Sequence, residues 1–400
     1  MHSLKELYQI GPGPSSSHTI ASWKGCQKYA RAFPAARSYE VVLYGSLALT
    51  GKGHWTDRII EQTLAPHPCV VVFNTLEVKA YPLTFTIRGK NDKEEFPLWE
   101  IVSVGGGSIR INNEINEEAD IYPQTCFAEV KDYCQSKRVT LGQYVLDHEK
   151  GIDRYLATIV DQMLKVVENG LKQNGNLPGP LELMRVAKNL YLKANSLDNA
   201  KSKKFLLIMA YAYAASEENA AGGMVVTAPT LGASGVLPAI LKHYYEAGTG
   251  KARLATALAV AGIFGNLVKT NATISGAVGG CQAEIGTACA MGAAAIAYLE
   301  ELSIDQIEAA AEIAMEHHLG LTCDPVGGYV MIPCIERNAV AALRAFDAVL
   351  LARNLLDIRK NKITFDMVVE TMKYTGNKIA RELKETSLGG LATQIDLEKK

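Results

Sequence analysis

The feature that most constrains this chain is a change of texture near residue 135. From there onward, apolar residues recur at helical spacing over long stretches and almost no strand pattern appears. Two of these stretches, 254–268 and 285–299, are rich in Ala and Gly, whose small side chains let helix backbones approach closely. Both are shorter than a membrane span requires, so they are expected inside a large helical domain. Helices are predicted over 152–171, 181–192, 204–215, 237–246, 253–268, 282–300, 304–315, 336–356 and 365–383. Ser303 and Gln306 have capping-box spacing ahead of one of them. The Gly/Pro-rich segment 174–180 (NGNLPGP) reads as a connection between helices.

Before the change the chain alternates. Runs 40–47 (EVVLYGSL) and 69–73 (CVVVF) read as strands, and 83–88 and 96–104 flank the polar turn GKNDKE as a β-hairpin. Segments 21–33 and 57–64 read as helices. The expected architecture is therefore an α+β N-terminal domain, with helices against one face of a mixed sheet, followed by a larger all-helical domain. A length of 400 residues suits two domains. The boundary is expected within 132–150, giving domains at 1–140 and 141–400.

Charge excludes some functions. Lys and Arg total 41 against 42 Asp and Glu, a formal net charge of −1. Nothing in that balance suggests a nucleic-acid or membrane-surface partner. The opening MHSLKELYQI has neither an apolar core nor a small-residue cleavage site, so a cytoplasmic location is expected. In that compartment eight cysteines stay reduced, and clustered ones point to metal ligation or catalysis.

Four polar, glycine-rich segments interrupt the helices, and such segments are where sites form. Segment 11–19 (GPGPSSSHT) offers Ser15, Ser16, Ser17 and Thr19 hydroxyls at a helix start, which suits a carboxylate, although a solvated capping loop explains the hydroxyls equally well. Segment 45–57 (GSLALTGKGHWTD) is not a P-loop, but its glycines let a ligand near the backbone, and His54 can take a proton near neutral pH. Segment 225–238 (VVTAPTLGASGVLP) presents Thr227 and Thr230, and reads equally as a tight interhelical turn. The fourth is a cysteine set: Cys281 opens a helix, Cys323 follows 42 residues on, and Cys334 follows after 11 more. There is no CxxC, so zinc-ribbon and ferredoxin patterns fail. Three thiolates from separate loops fit a cluster with one iron left without a cysteine. Cys26, Cys69, Cys126, Cys134 and Cys289 are expected to be ordinary packed cysteines.

Together these motifs resemble the iron–sulfur-dependent L-serine dehydratases (L-serine ammonia-lyases), in the single-chain form with the β-type domain before the α-type domain. The resemblance runs from GPGPSSSHT to ETSLGGLA at 385–392, through SSSHT, TAPT-x-G-x-x-G, GCQAEIG, LTCDPVGG and IPCIERN in that order. It implies a 4Fe–4S cluster on Cys281, Cys323 and Cys334, no pyridoxal phosphate, and an N-terminal domain similar to a serine-binding regulatory domain. It further implies that Ser15, Ser16, Ser17, His18 and Thr19 contact L-serine, with Thr227 and Thr230 nearby. In the implied chemistry the cluster acts as a Lewis acid on the serine hydroxyl and a base removes the Cα proton, giving pyruvate and ammonia. His54 is the expected base, and His18 the second candidate with a clamping role. A homodimer is expected.

Three departures stand out. Leu231 replaces the Asn or Cys that many relatives carry after TAPT, and Val278 replaces an acidic residue before the first ligand cysteine. The sequence ends in DLEKK with no cysteine after Cys334, so the open iron is expected not to be capped by a thiolate from the tail. Competing expectations are a lyase for cysteine or threonine, a non-catalytic serine sensor, and a structural zinc site, the last disfavoured because no fourth Cys or His has suitable spacing.

Overall fold

A computed structural model of the chain describes residues 1–112, 120–395 and 397. The first strand, β1 (Ile10–Pro12), leads through a π-helical turn at Ser16–Ile20 into helix α1 (Ala21–Ala32). There follow β2 (Ser38–Tyr44), the short α2 (Ser46–Leu49), α3 (Thr56–Leu64), β3 (Cys69–Asn74), β4 (Thr84–Lys90), β5 (Trp99–Gly105) and β6 (Ser108–Ile111). Strands β2 to β6 form a five-stranded mixed sheet ordered β3-β2-β4-β5-β6, parallel between β2 and β3 and antiparallel elsewhere. Val41 and Leu43, separated by the half-exposed Val42 along β2, meet Phe85, Ile87, Tyr29 and Ile60 in one apolar layer. The predicted α+β half is thus observed, with β4 and β5 as the expected hairpin.

The helical half begins with two helices the sequence reading passed over, α4 (Phe127–Lys137) and α5 (Leu141–His148). It continues with α6 (Ile152–Gly170), α7 (Ala187–Asn195), α8 (Ala200–Ala220), strand β7 (Met224–Val226), α9 (Val236–Glu246) and α10 (Lys251–Asn271). The last elements are α11 (Gly276–Gly279), a π-helical turn at Gln282–Gly286, α12 (Thr287–Leu299), α13 (Ile304–Glu316), α14 (Cys334–Leu355) and α15 (Phe365–Lys378). α7 starts six residues later than predicted because the Glu217 carboxylate accepts from the amides of Val186 and Ala187 and fixes the N-terminus there. α15 stops at Lys378, where Ile379 turns extended. The Ser303–Gln306 capping box is present.

α10 corrects one expectation. At 21 residues it is long and apolar enough to span a bilayer, yet 78% of its most apolar window is buried by the protein's other elements. It packs against α6 and α12 at the centre of the helical core. The small residues of α12, among them Ala290, Ala293 and Ala294, are fully buried beside it.

The two hydrophobic cores do not follow one cut along the sequence. Leu4, Leu7 and Tyr8 are completely buried in the helical core, where the Tyr8 hydroxyl donates to Leu258 O at 2.9 Å. β1 pairs antiparallel with β7, Ile10 opposite Val226. The N-terminal segment is therefore part of the helical body, and it crosses to the sheet body at Ser15–Ile20. The functional site lies at this crossing.

Candidate active site

Several segments from both halves converge on one small cavity. Ser15 comes from the crossing segment, His54 from the turn before α3, and Cys281, Glu284, Cys323, Cys334 and Glu385 from the helical half. Close approach of backbones is required to bring them together. A Cβ on Gly53 would sit 2.6 Å from the Gly328 carbonyl carbon, so the GKGH loop can lie on the loop carrying Cys323 only with glycine there. A Cβ on Gly276 would likewise fall 2.6 Å from Glu284 Oε2 and 3.2 Å from Cys323 Sγ.

The three cysteines predicted as ligands are brought together and buried, and all eight cysteines are free. Each thiol comes from a different element: Cys281 at the start of the π-helical turn, Cys323 in the loop after α13, and Cys334 at the first position of α14. Contact with the Cys281 thiol, together with burial, holds Cys323 well above the ordinary thiol range. Burial does the same to Cys334. Such a set is stable as thiolates only against positive charge. Arg337 supplies part of it from the first turn of α14, within hydrogen-bonding reach of Cys281. Its guanidinium donates to Thr322 O at 2.6 Å and lies 3.6 Å from Asp324 Oδ1.

His54 lines the side of the cavity away from the thiols, and His18 packs on it. His18 and His54 stack with ring centroids 4.0 Å apart and planes 14° from parallel. Their hydrogen bonds fix the tautomers. Thr50 Oγ1 donates to Ser46 O at 2.9 Å, so it accepts from His18 Nε2 at 2.9 Å. His18 Nδ1 is then the acceptor, 3.1 Å from Ser15 Oγ. His54 Nδ1 donates to Thr50 O at 2.8 Å, which leaves its Nε2 lone pair without a hydrogen-bond donor among the described residues and 3.7 Å from Glu385 Oε1. Burial pushes His54 down to about 4 and His18 well below its ordinary value, so both rings are neutral at pH 7.

The remaining predicted contacts divide. Ser16 and Ser17 are buried in the π-helical turn, and Ser17 Oγ lies 3.4 Å from Ser15 Oγ. Thr19 and Thr227 spend their hydroxyls on backbone: Thr19 on Pro12 and Ser15 carbonyls, Thr227 on Leu7 O while accepting from Gln9 N. Thr227 thus pins the N-terminal segment, and neither threonine lines the cavity. Thr230 donates to Glu284 Oε1 at 2.6 Å.

Two carboxyl groups were not singled out from the sequence. Glu284 sits within 4.8 Å, atom to atom, of the Cys281 and Cys323 sulfurs, and burial pushes its carboxyl up to about 7. Glu385 faces both histidines; burial and the nearby Glu284 and Cys281 hold it well above the carboxylate range, and its Oε2 has no hydrogen-bond partner among the described residues. Its backbone takes φ +55°, its amide donates to Cys323 O at 2.6 Å, and its carbonyl accepts from Ser46 Oγ at 2.7 Å. Both residues lie in motifs already conspicuous for glycine and polar residues, GCQAEIG and ETSLGGLA, which is the signal that could have found them.

A small mixed-sheet body set on a helical one, with thiols and imidazoles facing each other across their junction, has the form of a two-part enzyme. Residues 3–72 match the serine dehydratase beta chain family, and residues 75–392 match the serine dehydratase alpha chain family. The chain belongs to the serine dehydratase family, with the beta part before the alpha part. It is 35% identical to an L-serine dehydratase of Haemophilus influenzae, with 99% of each chain covered. It is 34% identical to L-serine dehydratase 1 of Escherichia coli over the full length of both, and 35% identical to an L-serine dehydratase of Streptomyces coelicolor over 98% of this chain and 99% of that one.

Proposed function

We propose that this protein is an L-serine ammonia-lyase of the iron–sulfur type, converting L-serine to pyruvate and ammonia without pyridoxal phosphate. The observation that carries the proposal is the meeting of three buried thiols with the neutral, unoccupied Nε2 of His54 across one cavity. The names of the relatives supply the substrate. None of the residues lining the cavity is a lysine, the group a pyridoxal enzyme uses to hold its cofactor.

The donor set suits a 4Fe–4S cluster. Cys281, Cys323 and Cys334 would hold it, and Arg337 would offset part of the thiolate charge. When bound, the cluster supplies Lewis acidity toward the serine hydroxyl, the poor leaving group of the reaction. The chain's own residues do the rest. The Ser15–Ser17 turn supplies hydroxyls for the substrate carboxylate. The Glu385 carboxyl, with one oxygen unpartnered, suits the substrate ammonium. His54 Nε2 takes the Cα proton, and its Nδ1–H bond to Thr50 O keeps that lone pair in place. His18, with both ring nitrogens engaged, positions Ser15 and packs against His54. The enamine released tautomerises and hydrolyses in water.

One alternative has an observation in its favour. Glu284 joins Cys281 and Cys323 in a Cys₂Glu group that could bind a single ion, a carboxylate donor where no further Cys or His has suitable spacing. A single preparation decides between them: protein purified without oxygen is assayed for iron, sulfide and zinc, then given L-serine while pyruvate is followed. Cluster-level iron and sulfide with pyruvate release are expected, and Cys281→Ala, Cys323→Ala and Cys334→Ala are each expected to lose cluster and turnover together. Zinc without sulfide, or serine bound without pyruvate, overturns the reading. Air is expected to abolish turnover. L-Threonine and L-cysteine assayed beside serine test the substrate. A homodimer in a reducing cytoplasm belongs to the same reading; eight free cysteines support the compartment, and the mass in solution checks the dimer.

A further inference from the structure

Beside the catalytic pocket, a second cavity of about 320 Å3 opens between the sheet body and the C-terminal segment. That is within the size range of small-molecule sites. Lys79 enters from the sheet side, Arg381 and Lys384 from the segment after α15, and Ser46, Thr386 and Ala277 line the part nearest the active site. No Asp or Glu lines it. Lys79 is matched by Glu77 at 2.7 Å and Glu100 at 3.9 Å, outside the cavity. Arg381 and Lys384 make no ion pair among the described residues, and Lys384 is half-buried. Holding an ammonium half-buried without a counter-charge is unfavourable. The cavity is therefore cationic, partly desolvated and short of negative charge.

Its inner wall is shared with the catalytic machinery. Ser46 Oγ donates to Glu385 O at 2.7 Å, and Ser46 O accepts from Thr50 Oγ1, which in turn accepts from His18 Nε2. Thr386 follows Glu385 directly and hydrogen-bonds to Glu382 O at 2.9 Å. An occupant of the cavity thus contacts the two residues that hold Glu385 and, through Thr50, the histidine pair.

We propose that this interdomain cavity binds a small dianion, a phosphate monoester or a short dicarboxylate, between Arg381 and Lys384, and that the bound anion changes turnover at the neighbouring site through Ser46 and Thr386. The binding half of the proposal stands independently of the substrate; the turnover half rests on serine being that substrate.

The test uses the full chain, purified without oxygen and loaded with its cluster. Inorganic phosphate and succinate are titrated separately by calorimetry, with chloride at matched ionic strength as the control. Saturable binding of at least one of the two is expected, and which one it is identifies the anion class. Arg381→Gln and Lys384→Gln are each expected to weaken it about tenfold, the scale of a lost charge-assisted hydrogen bond, while Lys384→Arg restores it. In serine assays the anion is expected to change kcat in the wild type and to leave the double Gln variant unaffected. Equal affinity in the Gln variants, an effect reproduced by chloride, or no binding by either anion overturns the site. Simple competition with serine also overturns it, because the anion would then occupy the substrate pocket.

Discussion

The two stacked histidines show how far one residue's chemistry depends on its hydrogen-bond partners. They lie face to face, and burial keeps both neutral, yet of the two only His54 has a lone pair free for a proton. His54→Ala is therefore expected to lower kcat about 10²–10⁴-fold with iron content unchanged, the usual loss when a general base is removed. Full turnover in that variant with intact cluster excludes His54 as the base. The pH profile gives a second check. A base must be unprotonated to act, and burial moves the His54 ring from its ordinary 6.5 to about 4. The acid limb of kcat/KM for serine is thus expected well below pH 6.5; a limb at or above 6.5 assigns the base elsewhere. His54 could be picked out from its glycine-flanked loop. The motif holding Glu385 was conspicuous too, but nothing local gave that residue a place in the site, because its contacts are with His18, His54 and Ser46, all more than 300 positions earlier in the chain.

At the scale of elements, the site depends on loops being tied to helix ends. Asn338, buried in the first turns of α14, accepts from Gly235 N at 2.8 Å and donates to Gly232 O at 2.8 Å and Cys334 O at 2.9 Å. It joins the TAPTLGASG loop, and through Thr230 the Glu284 carboxyl, to the helix that begins with Cys334. Asn338→Ala leaves the buried Gly235 amide and Gly232 carbonyl unsatisfied, at roughly 1–3 kcal/mol each. The variant is expected to melt several degrees lower and to retain less iron than the wild type at temperatures where both are folded. Ser303→Ala is the control. It removes a helix cap about 1 kcal/mol in worth, at a site lined by neither thiols nor histidines, and leaves iron content unchanged. Equal iron in both variants removes Asn338 from any role at the cysteines. The capping box was legible because its signature is local, as was the β4–β5 hairpin from its polar turn. The π-helical turns at Ser16–Ile20 and Gln282–Gly286 were not, because each is one widened turn at a helix start with no sequence period of its own. α4 and α5 were missed because they fall where the texture changes, so their apolar residues read as boundary.

For the whole molecule, the α+β and all-helical halves could be read from periodicity, but the path of the N-terminus could not. Leu4, Leu7 and Tyr8 have helical spacing, yet they form only a single 3₁₀ turn, Leu4–Glu6, whose apolar face meets α10. A Cβ on Gly262 would fall 2.8 Å from Leu4 Cδ1, so α10 carries a groove fitted to this segment. β1 also supplies β7 with its strand partner. A fragment of residues 121–400, which keeps Tyr122, Phe127 and Val130, therefore lacks the N-terminal part of its own core. Three large side chains, each contributing roughly 1.5–3 kcal/mol on burial, amount to a large share of the 5–15 kcal/mol that typically separates folded from unfolded domains. The fragment is expected to show no cooperative thermal transition by circular dichroism, and to regain one when residues 1–14 are fused ahead of it through a flexible linker. A cooperative melt of the unfused fragment, near that of the full chain, would show that the N-terminal segment is dispensable to the helical core. The same crossing explains the location of the site. A segment rooted in one body and continuing into the other at Ser15–Ile20 places Ser15 in the cavity that the thiols and His54 also line, so relative movement of the two bodies must alter the distance between His54 and the thiols.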